Sequence, residues 1–215
     1  MNATDFILAN TELLTPPLVP EIRLHLATEL MPLWRKSEEE LEAMGVPPPY
    51  WAFAWAGGQA LARYVLDNPE IVRGTSVLDL GAGSGLVGIA AAKAGASNIL
   101  SADIDAFAQT AIALNASAND VVLTTTTKDM IGSEDEWDVI LVGDLCYERP
   151  IAEQLLIWLH AKEQSGVTIL IGDPGRSYFP KVGVERLALY RVQTTRELED
   201  HEIRETGVYR VVKFP

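Results

Sequence analysis

VLDLGAGSGLVG, at residues 77–88, places four glycines directly after a run of apolar residues. A glycine loop between a buried strand and a helix offers a ligand unpaired N–H groups and the positive end of the helix dipole. Two glycine patterns overlap in it: Gly81-x-Gly83-x-Gly85, and Gly83-x-Gly85-x-x-Gly88, which matches the dinucleotide fingerprint. The stretch therefore predicts an α/β fold with a cofactor at this loop, and the two patterns point to different cofactors.

The position of the preceding strand favours the first of these patterns. A nicotinamide site would need the strand to continue to Ala82, whereas the apolar run ends at Leu80. Asp79, two positions before Gly81, would repel a pyrophosphate but can accept a hydrogen bond from an ammonium group or its bound water. S-adenosylmethionine carries both an ammonium group and a carboxylate, so it fits this loop better than a dinucleotide does.

Working outward from the loop, short β-branched runs alternate with helical patterns. Strands are predicted near residues 75–80, 98–102, 120–125, 137–143, 166–172, 187–194 and 206–213, and helices near 57–67, 85–94, 105–118 and 150–163. Alternation of this kind is typical of a doubly wound, mostly parallel sheet that is covered on both faces. The last two strands have no helical pattern between them, so we expect them to pair antiparallel at one edge.

The first 45 residues are predicted to be organised differently from the rest. Residues 1–20 look like an extended arm and residues 21–44 like a helical wrap, and three consecutive prolines follow at 47–49. Residues 46–215 are expected to form the domain that contains the sheet. A chain of 215 residues is long enough for one such core.

Charge and composition restrict the partners. A formal net charge of −13 disfavours nucleic acid, which is bound through Lys and Arg, and favours a cationic partner, although a solvated acidic surface accounts for most of this charge. No apolar run is long enough to span a membrane, and Asp5 lies in a start that lacks the basic residues of a targeting segment. The single Cys146 and three scattered histidines favour a reducing cytoplasm and no metal site.

Two further acidic residues are candidates for cofactor binding. Asp103 ends the second strand of the sheet, where a carboxylate reaches ribose hydroxyls in either kind of cofactor. Asp105, two positions later, is better explained as a helix cap. Asp129 follows the third strand and either accepts a hydrogen bond from an adenine amino group or simply forms a turn.

The fourth strand, in WDVILVGDLCYE at 137–148, carries the candidate catalytic residues. It brings Asp144 and Tyr147 just past its carboxyl end, where open α/β sheets bind their ligands. The same two residues could instead form an ordinary turn that covers the sheet edge. Their position beside the expected switch point of the sheet favours function.

Several motifs together resemble one enzyme family. The glycine loop and strand pattern resemble the seven-strand, Rossmann-like S-adenosylmethionine-dependent methyltransferases, and Asp144-Leu-Cys-Tyr147 is similar to a motif of their protein-lysine branch. The stretches at 48–85, 101–105, 143–148 and 171–176 resemble the lysine methyltransferases of the electron-transfer flavoprotein β subunit. The resemblance implies that residues 46–215 form a methyltransferase domain, with S-adenosylmethionine as donor and that subunit as protein substrate. It also implies a bacterial, cytoplasmic counterpart of a mitochondrial enzyme.

The resemblance also assigns roles to single residues. Trp55 and Gly57 match family positions that lie over the cofactor, and Gly143, in the matching Gly-Asp-x-x-Tyr stretch, is expected to contact the cofactor as well. Asp144 is expected to bind the lysine ammonium and then to orient the amine, because a carboxylate by itself raises the pKa of a lysine. Tyr147 would form a wall of the lysine channel, and Arg176 could hold an acidic feature of the substrate.

Other functions stay open from the sequence. Lysines of ribosomal or other proteins, or a small-molecule amine, are alternative substrates of a methyltransferase. The Gly83-x-Gly85-x-x-Gly88 pattern keeps an NAD(P)-dependent oxidoreductase possible, and a non-catalytic binding module is a third class. Pro47-Pro48-Pro49-Tyr50 resembles the motif of nucleic-acid amino-methyltransferases but lacks its polar first residue.

Overall fold

The computed structural model describes residues 2–28, 47–194 and 202–213. In chain order the elements are α1 (Ala3–Asn10), β1 (Glu12–Leu14), β2 (Leu24–Leu26), α2 (Ala56–Asp67), β3 (Ser76–Leu80), α3 (Leu86–Lys93), β4 (Asn98–Ala102), α4 (Ala106–Ala118), β5 (Thr124–Thr126), β6 (Val139–Gly143), α5 (Arg149–Gln164), β7 (Thr168–Asp173), β8 (Val184–Gln193) and β9 (Ile203–Val211). Short 3₁₀ turns occupy Tyr50–Ala52 and Pro69–Ile71.

The central sheet has the strand order β5-β4-β3-β6-β7-β9-β8. The five strands from β5 to β7 are parallel, and β9 runs antiparallel between β7 and β8. This confirms the doubly wound, mostly parallel sheet with antiparallel pairing of the last two strands. The direction of winding reverses between β3 and β6, so the loops that follow these two strands lie side by side at the switch point.

The sheet is buried on both faces, because successive side chains of a strand point to opposite sides. Val77 packs with Ala60 and Leu61 of α2 on one face. The next residue, Leu78, packs with Leu155 and Leu159 of α5 on the other face. Burial of each such aliphatic side chain contributes about 1.5–3 kcal/mol. Both layers of helices thus hold the carboxyl ends of the strands in a fixed frame.

The N-terminal segment differs from the predicted extended arm. Residues 3–10 form helix α1, whose first turn is capped by the Asn2 side chain at 2.8 Å from the Asp5 nitrogen. The apolar pair Phe6 and Ile7 supplies the buried face of this helix, and Phe6 meets Phe107 of α4 edge-on at 5.5 Å. The prediction of an extended arm was wrong for residues 3–10, because the helical pattern of these eight residues is weak beside the prolines at 16 and 17.

The remaining predictions for the first 45 residues are only partly covered. Strand β2, which pairs antiparallel with β1, replaces the first residues of the predicted helical wrap, whereas β1 lies within the predicted extended arm. The rest of that wrap, and the division at residue 45, fall within 29–46, outside the described residues. The division into two parts therefore stays a prediction.

Candidate active site

The glycine loop runs from the end of β3 to the start of α3. Gly81, Gly83 and Gly85 have φ angles of +65°, +51° and +80°, which glycine adopts without steric cost. Helix α3 begins directly after Gly85. Since β3 ends at Leu80, the loop follows the Gly81-x-Gly83-x-Gly85 pattern that the sequence favoured, and Gly88 lies inside the helix.

Asp79 links strand β3, which leads into the glycine loop, to helix α3 and strand β4. Its Oδ2 accepts hydrogen bonds from the Gly88 nitrogen at 2.8 Å and from Ser101 Oγ at 3.3 Å. Burial raises the pKa of Asp79 to about 7. A side chain at Gly88 would collide with the Ser101 hydroxyl, so this glycine lets helix and carboxylate meet. Asp79 also lines the cleft, and its predicted contact with the donor ammonium stays a prediction.

Asp103 supports the same loop from the end of β4. Its Oδ2 accepts from the Gly83 nitrogen at 2.8 Å, and its Oδ1 accepts from the Asp105 nitrogen at 3.0 Å. Burial raises the pKa of this carboxyl. Asp105 caps α4 through the Phe107 nitrogen at 2.8 Å, as expected. A carboxylate offers about four acceptor sites, so the predicted ribose contact of Asp103 is compatible with these two bonds.

A seam of glycines brings the start of α2 onto the sheet. A Cβ atom on Gly57 would overlap the Gly172 carbonyl oxygen and lie 2.5 Å from Asp144 Oδ2. A Cβ on Gly143 would come within 3.2 Å of the Gly58 Cα. Gly143 and Gly58 line the cleft, whereas the position of Gly57 is explained by this packing. The predicted cofactor contacts of Gly57 and Gly143 stay predictions.

Asp144 adopts the left-handed conformation, with φ at +58°, which is uncommon for a residue other than glycine. Its nitrogen donates to the Gly172 carbonyl at 3.0 Å. Its Oδ2 accepts from the Gly58 nitrogen at 2.9 Å, in the first turn of α2 where N–H groups lack helical partners. The positive end of the α2 dipole therefore stabilises the carboxylate of this buried residue.

Arg176 is the partner of Asp144 that the sequence did not reveal. Its Nη2 and Nε donate to Asp144 Oδ1 at 2.7 and 3.1 Å, and its guanidinium carbon lies 5.5 Å from the centre of the Trp55 ring. The turn after β7 places it there, because Asp173 Oδ1 accepts from the Gly175 and Arg176 nitrogens at 2.7 Å. The sequence indicated only a turn at Gly172–Arg176 and suggested a substrate contact.

Trp55, whose ring covers the guanidinium, belongs to a group of aromatic rings at the cleft. Trp55 contacts the rings of Tyr50 and Phe53 at 6.0 and 5.8 Å and donates from Nε1 to the Tyr50 carbonyl at 2.9 Å. Tyr147 lies 5.8 Å from Tyr50 and is 38% exposed. Burial is the main cause that raises the pKa of Tyr147. Trp51, by contrast, is fully buried in the core.

Asp129 lies away from these residues. It is exposed, and its Oδ1 accepts from the Ile131 nitrogen at 2.9 Å in a local turn. It does not line the cleft among the described residues. This geometry supports the turn interpretation, and the predicted adenine contact stays a prediction.

A small open cleft lies where the glycine loop, the first turn of α2 and the end of β6 meet. Its lining residues are Phe53, Trp55, Gly58, Asp79, Gly81, Ala82, Gly83, Ser84, Leu86, Val87, Gly143 and Asp144. Backbone N–H groups, two carboxylates and aromatic faces match a donor with a carboxylate, an ammonium group and a sulfonium. These residues fit S-adenosylmethionine.

Within residues 2–28, 47–194 and 202–213, no group of three His, Cys, Asp or Glu side chains could hold a metal ion. None of the helices in these ranges has the length and apolar character needed to cross a membrane.

Comparison with known proteins decides the family. A sequence model described as ribosomal protein L11 methyltransferase (PrmA) matches residues 59–153. The electron transfer flavoprotein beta subunit lysine methyltransferase of Xenopus laevis is 43% identical over 211 residues, which cover 95% of this chain and 85% of that protein. This chain belongs to the electron transfer flavoprotein beta subunit lysine methyltransferase family. The Danio rerio member is 41% identical over 96% of this chain and 82% of its own length.

A solved structure has the same fold. The ribosomal protein L11 methylase of Lactobacillus delbrueckii subsp. bulgaricus superposes with a TM-score of 0.54 at 23% identity, over 75% of this chain and 81% of that chain. Family membership and fold confirm an S-adenosylmethionine-dependent lysine methyltransferase, as the sequence predicted. The alternative of an NAD(P)-dependent oxidoreductase is set aside.

Proposed function

We propose that the protein transfers methyl groups from S-adenosylmethionine to lysine side chains of the electron transfer flavoprotein beta subunit. The observation that carries the proposal is the Asp144 carboxylate, which lines the donor cleft at the switch point of the sheet. Two relatives are 43% and 41% identical to this chain over 95% and 96% of its length. Both are named for this substrate, and their names support the choice.

The donor supplies an electrophilic methyl group, which the lone pair of a neutral amine attacks while the electron pair of the broken C–S bond stays on sulfur. Asp144 binds the incoming lysine ammonium and then accepts hydrogen bonds from the amine N–H groups, so that the lone pair faces the methyl group. Such alignment lowers the barrier by fixing a near-attack geometry. The lysine ammonium loses one proton to water before the attack, and the methylated nitrogen keeps its two other hydrogens and carries the positive charge.

Tyr147 and Tyr50 guide the lysine to Asp144. Their rings are in contact at 5.8 Å and are 38% and 49% exposed, so together they form an apolar rim that a lysine stem can lie along. The acidic surface, with a formal net charge of −13, attracts the ammonium group over a longer distance. We propose that these two features select an exposed lysine of a protein.

The second methyltransferase substrate class suggested by the sequence was a ribosomal protein. The L11 methyltransferase family model matches residues 59–153. This part contains the glycine loop and Asp144, so the match supports donor binding and gives little support to a particular protein substrate. The flavoprotein subunit therefore remains the proposed substrate, and ribosomal protein L11 serves as the comparison in the test.

The test is incubation of the purified enzyme with labelled S-adenosylmethionine and the purified flavoprotein subunit, followed by mapping of the labelled residues. We expect label on lysines of that subunit, and a loss of at least roughly 100-fold in kcat with Asp144→Ala while donor binding persists. A variant that keeps near-wild-type turnover would show that Asp144 has no such role. Label on L11 alone would overturn the choice of substrate.

We also propose that the enzyme works in the cytoplasm of a bacterial cell. The buried thiol of Cys146, whose pKa is raised to about 12 mainly by burial, is compatible with a reducing compartment. The two vertebrate relatives give the bacterial origin no support, so it rests on the sequence alone. Fractionation of cells that express the tagged protein tests the location, and recovery from another compartment would contradict it.

A further inference from the structure

Catalysis at Asp144 raises a problem of charge. A lysine side chain has a pKa near 10.4, so only about one amine in a few thousand is neutral at pH 7. A carboxylate that contacts the ammonium group stabilises the charged form and raises that pKa further. Asp144 alone would therefore bind the substrate lysine while it reduces the fraction that can attack the methyl group.

Arg176 changes this balance. Its guanidinium is always protonated, and it donates twice to Asp144 Oδ1, at 2.7 and 3.1 Å. The two side chains are only 18% and 10% exposed, so water screens the pair weakly. The pair carries no net charge, yet its carboxylate oxygens are still hydrogen-bond acceptors.

We propose that Arg176 is a positioning residue that cancels the charge of Asp144, so that Asp144 orients the lysine amine without raising its pKa. The inference rests on the proposed function, because it concerns the same lysine. The ammonium proton leaves to water before transfer, and the positive charges of the guanidinium and of the donor favour that loss.

Three contacts hold Arg176 in this place. The Asp173 carboxylate fixes the backbone of the turn at the Gly175 and Arg176 nitrogens. The Trp55 ring covers the guanidinium at 5.5 Å. The fork of Nε and Nη2 then reaches Asp144, and a lysine ammonium at position 176 could supply the charge but not this geometry. Arginine is thus the residue that both neutralises and orients Asp144.

Other titratable groups lie around the pair, and their titration must be distinguished from that of the substrate lysine in a pH experiment. Asp173, beneath Arg176, has a pKa raised to about 7, mainly by burial, with a further contribution from Asp144. Burial, Asp173 and Asp144 raise the pKa of Cys146 to about 12. Tyr147, beside Asp144 in sequence, has a raised pKa as well. Asp173 titrates near neutrality, and so does Asp79 in the wall of the same cleft, whose pKa burial raises to about 7.

The experiment measures kcat at saturating donor and flavoprotein subunit between pH 6.5 and 9.5 for the wild type, Arg176→Gln and Arg176→Lys, because kcat reports the lysine pKa in the complex. Activity rises with pH as the lysine loses its proton. Without the guanidinium charge the lysine pKa rises, so Arg176→Gln should be roughly tenfold slower at pH 7 and recover as pH increases, a shift of about one pH unit. Arg176→Lys should fall between the two.

Controls distinguish this role from a structural one. Arg73→Gln removes the same charge from an exposed site that precedes the amino end of β3, whereas the cleft lies at the carboxyl ends of the strands, and it should leave the profile unchanged. The Asp173→Asn variant shows whether any part of the pH profile arises from titration of Asp173. Profiles of Arg176→Gln and wild type that differ by a constant factor at every pH would overturn the proposal.

Failure of the proposed function has a different signature. If the wild-type enzyme does not label the flavoprotein subunit, the proposed function is contradicted. The same pH profiles of the Arg176 variants are then measured on the protein that the enzyme labels in a cell extract. Thermal stabilisation of Arg176→Gln by S-adenosylhomocysteine, equal to that of the wild type, verifies that the variant is folded.

Discussion

At the residue scale, the site depends on two positions with unusual backbone requirements: a left-handed φ angle at Asp144 and a close approach of other atoms at Gly57. Asp144 holds a left-handed φ of +58°, which costs of the order of 1 kcal/mol, and this places its carboxylate on the first turn of α2. Gly57 faces the same carboxylate at a distance that excludes any Cβ atom. Both residues thus fix the distance between α2 and the ends of β6 and β7.

Gly57→Ala should destabilise the protein by about 1–3 kcal/mol, because the added methyl group overlaps the backbone of Gly172 as well as Asp144. Gly58→Ala is the matched control in the same helix turn. The nearest atom to its Cβ is 3.9 Å away, and alanine is the better helix former, so we expect stability to be kept or raised. Urea unfolding measures both, and equal effects of the two substitutions would contradict this account of the seam.

Asp173→Asn should change how stability depends on pH. The folded-state pKa of Asp173, about 7, lies above the ordinary value of 3.8, so between these values the unfolded state loses a proton that the folded state keeps. This group therefore lowers the unfolding free energy by about 1.4 kcal/mol per unit of rising pH within that window. The variant should gain stability relative to the wild type from pH 4 to pH 7, as measured by urea unfolding. Parallel stability curves would refute the raised pKa.

At the element scale, helix α4 ties the N-terminal hairpin to the glycine loop. Asn115 accepts from the His25 nitrogen at 2.7 Å and donates to the Ser84 carbonyl at 2.8 Å. One turn later, Asn119 accepts from the Arg23 nitrogen at 3.0 Å and donates to the Arg23 carbonyl at 2.6 Å. Both side chains form hydrogen bonds with backbone groups of the hairpin. Of the four bonds just described, only the one from Asn115 to Ser84 reaches the glycine loop.

Asn115→Ala should destabilise the protein by about 1–3 kcal/mol and also weaken donor binding, because it leaves partners unsatisfied in both the hairpin and the loop. Asn119→Ala should destabilise to a similar extent with donor affinity kept. Thermal unfolding and calorimetric titration with S-adenosylhomocysteine separate the two effects. Equal donor affinity of the two variants would show that the link through Asn115 does not matter for the loop.

Elements of the sheet could be predicted because their signals are local. The glycines after Leu80 end β3, and Asp105 caps α4, so the boundaries near the site agree with the sequence patterns. Strand β5 was predicted at 120–125 but begins at Thr124, since Asp120 adopts a left-handed turn conformation. Helix α1 was missed because its eight residues have a weak pattern, and its stability comes from packing on α4.

At the scale of the whole molecule, the site is assembled from segments far apart in the chain. Gly58 and Asp144 are 86 positions apart, and Arg176 follows Asp144 by 32 positions. The rule that ligands bind at the switch point of an open sheet predicts which strand ends contribute. It does not predict which side chains pair there, and so the contact of Arg176 with Asp144 required the three-dimensional structure.

The measurement that tests the central claim most directly is a crystal structure with S-adenosylhomocysteine and a lysine peptide of the flavoprotein subunit. We expect the donor product across the glycine loop at Gly81–Gly85, and the lysine nitrogen between its sulfur and the Asp144 carboxylate. A donor product bound elsewhere, or a lysine that approaches without contacting Asp144, would contradict the account.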